Sequence, residues 1–66
     1  MSVLKVIELI GNSNTSFDDA IKNVVKEASK TVKNIKSVYV KDMQVKVVNN
    51  EVSEYRVNTK VSFVVD

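Results

Sequence analysis

The sequence predicts an α+β fold with the element order β-α-β-β: a three-stranded antiparallel sheet with one amphipathic helix packed against one side. Three observations carry this. A β-branched and aliphatic run opens the chain and stops at its only glycine, Gly11. Apolar residues then recur at spacings of three and four. Finally, two long alternating runs flank the pair Asn49-Asn50.

The first strand is read over "VLKVIELIG", with Gly11 marking a special backbone conformation where strand gives way to loop. A helix start follows in "NSNTSFDDA". Thr15 or Ser16 can cap it, and Asp18 and Asp19 lie in the first turn, where the helix dipole favours negative charge. Phe17, Ala20, Ile21, Val24, Ala28 and Val32 form one stripe, extended by Ile35, which predicts a helix running towards Asn34 as a left-handed C-cap. Lys30 and Lys33 would then occupy its last turns.

The runs from Ile35 to Val48 and from Glu51 to Val65 read as a long hairpin, because asparagine tolerates the positive φ of a two-residue type I′ turn. An uninterrupted register about Asn49-Asn50 opposes Val38 to Val61, Val40 to Thr59, Asp42 to Val57 and Gln44 to Tyr55 on the helix side. On the other face it opposes Ser37 to Ser62, Tyr39 to Lys60, Lys41 to Asn58 and Met43 to Arg56. No linker, repeat or low-complexity tract interrupts the chain, so residues 1–66 read as a single domain.

A chain of 66 residues buries only about 60% of its unfolded surface on folding. With no cysteine and no histidine, disulfides, thiolate metal sites and imidazole-based catalysis are excluded, and self-association is the remaining support for so small a core. One helix cannot cover both faces of the sheet. The second face, where Tyr39, Met43, Val45, Val47 and Val64 mix with Lys41, Arg56 and Lys60, therefore reads as an interface with polar pockets. No run approaches the roughly 20 apolar residues that span a bilayer, and the N-terminus lacks a signal-peptide core, so a soluble, cytoplasmic protein is expected.

Taken together, "VLKVIELIGNSNTSFDDAI" and the closing "YRVNTKVSF" resemble the dodecins, and the resemblance covers nearly the whole chain. It implies a sheet wrapped on the helix and a hollow homododecamer that binds flavin, riboflavin or FMN, without catalysis. Flavin-binding dodecins stack paired isoalloxazine rings on a tryptophan early in the second strand and hold them with a glutamine in the third. By position the tryptophan site falls on Ser37 and the glutamine site on Arg56, and the chain contains no tryptophan, so it is similar to members lacking that ring.

The resemblance implies a further ligand contact at Asp42, whose carboxylate can accept from a ribityl chain, and Lys46 and Arg56 can meet a phosphate. An uninterrupted register aims Asp42 at the helix, and only a bulge would re-aim it. Ser37 and Arg56 lie six pairs apart, roughly 20 Å at about 3.4 Å per residue, so a ligand touching both positions must sit between subunits.

Some relatives of this kind are calcium-binding, so the resemblance implies as the alternative a flavin-free dodecin homologue that binds a metal ion such as calcium, or another small molecule. Asn12, Asn14, Asp18, Asp19, Asp42 and Glu51 supply oxygen donors, but their spacing matches no EF-hand loop and assigns no metal residues.

Other classes fare worse. Lys22, Lys26, Lys30 and Lys33 line the helix face away from the core without interleaved aromatics, which reads as a solvated face and predicts neither nucleic-acid nor membrane partners. There is no phosphate-cradling glycine loop and no nucleophile paired with a base, so no enzyme is expected.

Overall fold

The computed structural model describes residues 3–65. β1 (Val3–Ser13) is followed by α1 (Phe17–Ala28), β2 (Ile35–Val48) and β3 (Glu51–Val65). The sheet is antiparallel with strand order β1-β3-β2, so the last strand lies in the middle. That position explains why Val57, Thr59 and Val61 of β3 are its most buried residues.

Ser16 caps α1. Its extended backbone lets its hydroxyl accept from the Asp19 amide at 3.0 Å. The helix lays Ala20, Val24 and Ala28 against Val57 and Val61, with Ile7, Leu9, Phe17, Ile21, Ile35, Val38 and Val40 packed around them. Phe17 meets Tyr55 edge to face with ring centroids 5.1 Å apart, which ties the first helical turn to β3.

α1 ends six residues before Asn34. The Ser29 hydroxyl donates to the Lys26 carbonyl at 2.8 Å, and the amides of Thr31 and Val32 both return to the Ala28 carbonyl, at 3.2 and 2.9 Å. This local bonding closes the helix before a β-branched pair that propagates helix poorly. Asn34 is left-handed, with φ of 60°, but it aims the chain into β2 rather than capping α1. Lys30 and Lys33 accordingly lie beyond the helix, and Lys30 pairs with Glu27 at 2.9 Å.

Gly11 also differs from expectation. It lies inside β1, opposite Val57, with no positive φ. Its role is steric: a Cβ there would strike Val24 Cγ2 and stand 2.6 Å from the Ala20 carbonyl oxygen. Glycine at this position sets how closely the helix approaches the sheet.

The turn at Asn49-Asn50 is as expected, with φ of 53° and 63°. The ladder beyond it shifts three times. Val47 opposes Val52, but Lys46 opposes Glu54, so Ser53 is an extra residue on β3. From there Val45 faces Tyr55, Gln44 faces Arg56, Met43 faces Val57 and Asp42 faces Asn58, one step from the uninterrupted register. Lys41 is then extra on β2, which restores Val40 to Thr59, Tyr39 to Lys60, Val38 to Val61 and Ser37 to Ser62. Lys36 is extra before Ile35 meets Phe63.

Because side chains alternate between faces, a one-residue shift exchanges the faces of the segment between two bulges. Asp42 and Gln44 therefore join Arg56 and Asn58 on the outer face, away from the helix, while Met43 and Val45 move to the helix side. Met43 and Val45 stay 54% and 40% exposed, since α1 packs on β1 and β3 and leaves the distal hairpin bare.

Two outcomes follow from this packing. Gly11→Ala should destabilise the protein by roughly 1–3 kcal/mol, as overpacking against backbone does, and a fall in the urea midpoint measures it. Asn50→Val should destabilise by about 1–2 kcal/mol, whereas Asn50→Gly should be neutral or stabilising in the same assay, because only the β-branched residue resists the left-handed backbone.

Candidate ligand site on the outer sheet face

The outer face is built from alternate residues of all three strands. β1 contributes Leu4, Val6, Glu8, Ile10 and Asn12, which lie opposite Val64, Ser62, Lys60, Asn58 and Arg56 of β3. β2 contributes Ser37 and Tyr39 and, beyond the bulge at Lys41, Asp42, Gln44 and Lys46. Leu4, Val6, Ile10 and Tyr39 are all more than half exposed, so the face carries a large apolar component beside its polar one.

Of the four residues that sequence reasoning singled out, three come together. Asp42 and Lys46 flank Gln44 on β2, and Gln44 stands directly opposite Arg56. Arg56 is thus diagonal to both, at the separation of about 7–8 Å that long side chains bridge. A cavity of about 340 Å³ opens here, lined by Gln44, Val45, Lys46 and Arg56. Arg56 Nη2 reaches Glu54 Oε1 at 3.5 Å with 39% of its side chain exposed, a loose and partly solvated pair.

Ser37 is not part of this cluster. It lies opposite Ser62, and the two hydroxyl oxygens are 2.5 Å apart in a cross-strand hydrogen bond. Ser62 is six residues from Arg56 along β3, roughly 20 Å away, as the uninterrupted register also gives, because the extra residue at Lys41 lies on β2 and the one at Ser53 precedes that span of β3.

Sequence reasoning missed Gln44 and Asn58, which the uninterrupted register places opposite Tyr55 and Lys41. A signal was available: aiming both Asp42 and Gln44 at an apolar helix is a contradiction that a pair of bulges bracketing them removes. Asn58 Oδ1 is enclosed without a hydrogen-bond partner, between Ile10 and Asp42 on the neighbouring strands.

A second, more polar hollow of about 530 Å³ lies at the start of α1, lined by Asn12, Ser13, Asn14, Thr15, Asp19, Asn23 and Glu54. Ser13 organises it. Its buried hydroxyl donates to Asp19 Oδ2 at 2.6 Å and accepts from the Thr15 amide at 2.9 Å. Asn23 Nδ2 closes the far side by donating to the Asn12 carbonyl at 3.0 Å. Among the described residues no group of three or more Asp, Glu, His or Cys is assembled, and no helix is long and apolar enough to cross a membrane.

A β-α-β-β chain whose sheet carries its helix on one side and an open, mixed face on the other defines a small class of single-helix sheet proteins. Within that class, the dodecin family model matches residues 3–66, and the chain belongs to the dodecin family. It is similar to the dodecin of Streptomyces davaonensis, with 26% identity and a TM-score of 0.93 over 98% of this chain and 96% of that one. An arginine-to-alanine variant of the Thermus thermophilus dodecin superposes with a TM-score of 0.95 at 29% identity, covering 100% of this chain and 98% of that one. The calcium dodecin of Mycobacterium tuberculosis, described as a calcium-chelating antigen with a novel calcium-binding site, is 33% identical with a TM-score of 0.85 over 98% and 93% of the two chains. No curated protein matches the chain.

The Ser13 hydroxyl is buried and makes bonds on both sides, so Ser13→Ala should cost about 1–3 kcal/mol by leaving the Thr15 amide and Asp19 without it. Thermal unfolding checks this, with the exposed Lys22→Ala as control, a residue that pairs with no side chain among the described residues, expected within about 0.5 kcal/mol of the parent.

Proposed function

We propose that this dodecin is a non-enzymatic protein that binds and sequesters a small ligand, with flavin (riboflavin or FMN) as the leading candidate, in the pockets of a homododecamer. The observation that supports this best is a cavity of about 340 Å³ lined by Gln44, Val45, Lys46 and Arg56, with Asp42 two residues from Gln44 along β2 on the same outer face, whose apolar residues stand open. That volume falls at the lower end of the range for small-molecule sites, which suits a pocket completed by a neighbouring subunit.

Each residue has a chemical role in this reading. The Asp42 carboxylate accepts hydrogen bonds from the ribityl hydroxyls, and Gln44 offers both a donor and an acceptor to a ring edge. Arg56 and Lys46 neutralise a phosphate, with Arg56 exchanging its loose contact to Glu54 for a charge-assisted pair. Ser37, some 20 Å from Arg56, reaches a shared ligand only from another subunit. The soluble, cytoplasmic location belongs to the same reading.

Native mass spectrometry of the purified protein tests it directly. A twelve-subunit mass carrying flavin-sized increments is expected, and a monomer overturns the cage. Arg56→Ala should weaken FMN by about ten- to a hundredfold and riboflavin much less, because only FMN carries the phosphate. Ser37→Trp should tighten flavin binding by adding a stacking surface, and an unchanged affinity removes Ser37 from the site.

Calcium is the second reading, favoured by the likeness to the Mycobacterium tuberculosis protein and by the oxygen-rich hollow around Asn12, Asn14, Asp19 and Glu54. Calcium accepts amide and carboxylate oxygens in sets of six to eight. In that case a bare dodecamer should gain thermal stability with added calcium and lose it to a chelator.

A further inference from the structure

The flavin reading leaves one requirement unmet, because an isoalloxazine ring is flat, apolar and wide and needs a flat surface to stack on, and the chain has no tryptophan. Its rings are two tyrosines and two phenylalanines. Phe17 and Tyr55 are engaged with each other on the helix side. Phe63 lies on the same side, in register with Lys5 and Ile35. Tyr39 alone stands on the outer face, and it is 64% exposed.

Its position fits the polar cluster. Tyr39 opposes Lys60, four residues from Arg56 along β3, or about 14 Å at roughly 3.4 Å per residue. A tricyclic ring together with its ribityl chain covers that distance. Between the two ends lies Asp42, which the bulge at Lys41 turns to the same face. In the uninterrupted register Asp42 would point to the helix, and the ring and the carboxylate would lie on opposite sides of the sheet.

Ser37 adds a second, independent reason. Its hydroxyl is bonded to Ser62, so the Ser37–Ser62 pair forms a low, small floor next to Tyr39 on the same face. Two small side chains beside an exposed ring leave room for a planar group to lie over the phenol.

We infer that Tyr39 supplies the stacking surface for the ligand's ring, with Asp42 and Arg56 taking its polar chain, so that this chain meets the aromatic requirement two residues after Ser37. The inference rests on the flavin reading above. It makes Tyr39 a binding residue for a planar heteroaromatic ligand rather than a buried interface anchor.

The test is isothermal titration of the assembled parent, Tyr39→Phe and Tyr39→Leu with riboflavin, each checked for unchanged assembly by native mass spectrometry. Phenylalanine should keep the affinity within about threefold. Leucine, which retains bulk but has no π-face, should weaken it by about ten- to a hundredfold. If the parent binds and the leucine variant binds equally well, the assignment of Tyr39 is wrong while the flavin reading stands. If the parent itself does not bind riboflavin, both are wrong. Should Tyr39→Leu fail to assemble, Tyr39→Trp replaces it: tighter binding than the parent is expected, and equal or weaker binding overturns the inference.

Discussion

A helix of twelve residues is about 18 Å long, whereas a strand of fifteen reaches about 50 Å, and this mismatch governs everything else in the molecule. The long dimension of the fold is 51 Å. α1 can therefore cover only the part of the sheet where β1 and β3 cross it, and its small residues Ala20, Val24 and Ala28 allow a close approach that Gly11 completes. The covered region contains the whole buried core. Beyond it, Met43, Val45, Val47 and Val52 extend over solvent, and the outer face adds Leu4, Val6 and Ile10. So much exposed apolar surface on so small a core is the physical case for self-association, independent of any family relationship.

The bulges determine what that surface presents. A strand as long as β3 accumulates twist, and an extra residue relieves it while locally re-aiming the side chains. Lys41 and Ser53 bracket one segment of the hairpin, and within it the polar residues Asp42 and Gln44 face outwards and the apolar Met43 and Val45 face the helix side. Each assignment is chemically sensible only with both bulges present. A hairpin of the same sequence without them would put a carboxylate beside Val57 and leave methionine among cations.

This is also where the limits of sequence reasoning lie. The element order, the Asn49-Asn50 turn and the start of α1 are all encoded locally, by alternation, by the tolerance of asparagine for positive φ and by a serine three residues before an aspartate. Bulges are not, since their placement depends on how twist and cross-strand packing balance along two strands. The end of α1 was obscured because Val32 and Ile35 continue a helical spacing by coincidence of the turn that follows, while the Ser29 hydroxyl that closes the helix looks like any other serine. Gly11 was recognised as special for the wrong reason: its constraint comes from Val24 and Ala20, nine or more residues away. Of the four residues assigned to the site, the backbone register gathers Asp42, Lys46 and Arg56, and it leaves Ser37 apart at a distance the spacing of the strands already implied.

The separation of Ser37 from Arg56 has a structural consequence for any ligand. Within one subunit the outer face offers a charged end, around Lys46 and Arg56, and a flatter end, around Tyr39 and the Ser37–Ser62 pair. The cavity at the charged end stands open on its solvent side and the apolar residues of β1 on the same face are exposed, so closing the one and burying the other both call for a further surface. One docking event can satisfy both requirements. A ligand trapped there would be held by surfaces of two copies, so its affinity would depend on assembly as much as on any single side chain, and binding and assembly would reinforce each other by mass action.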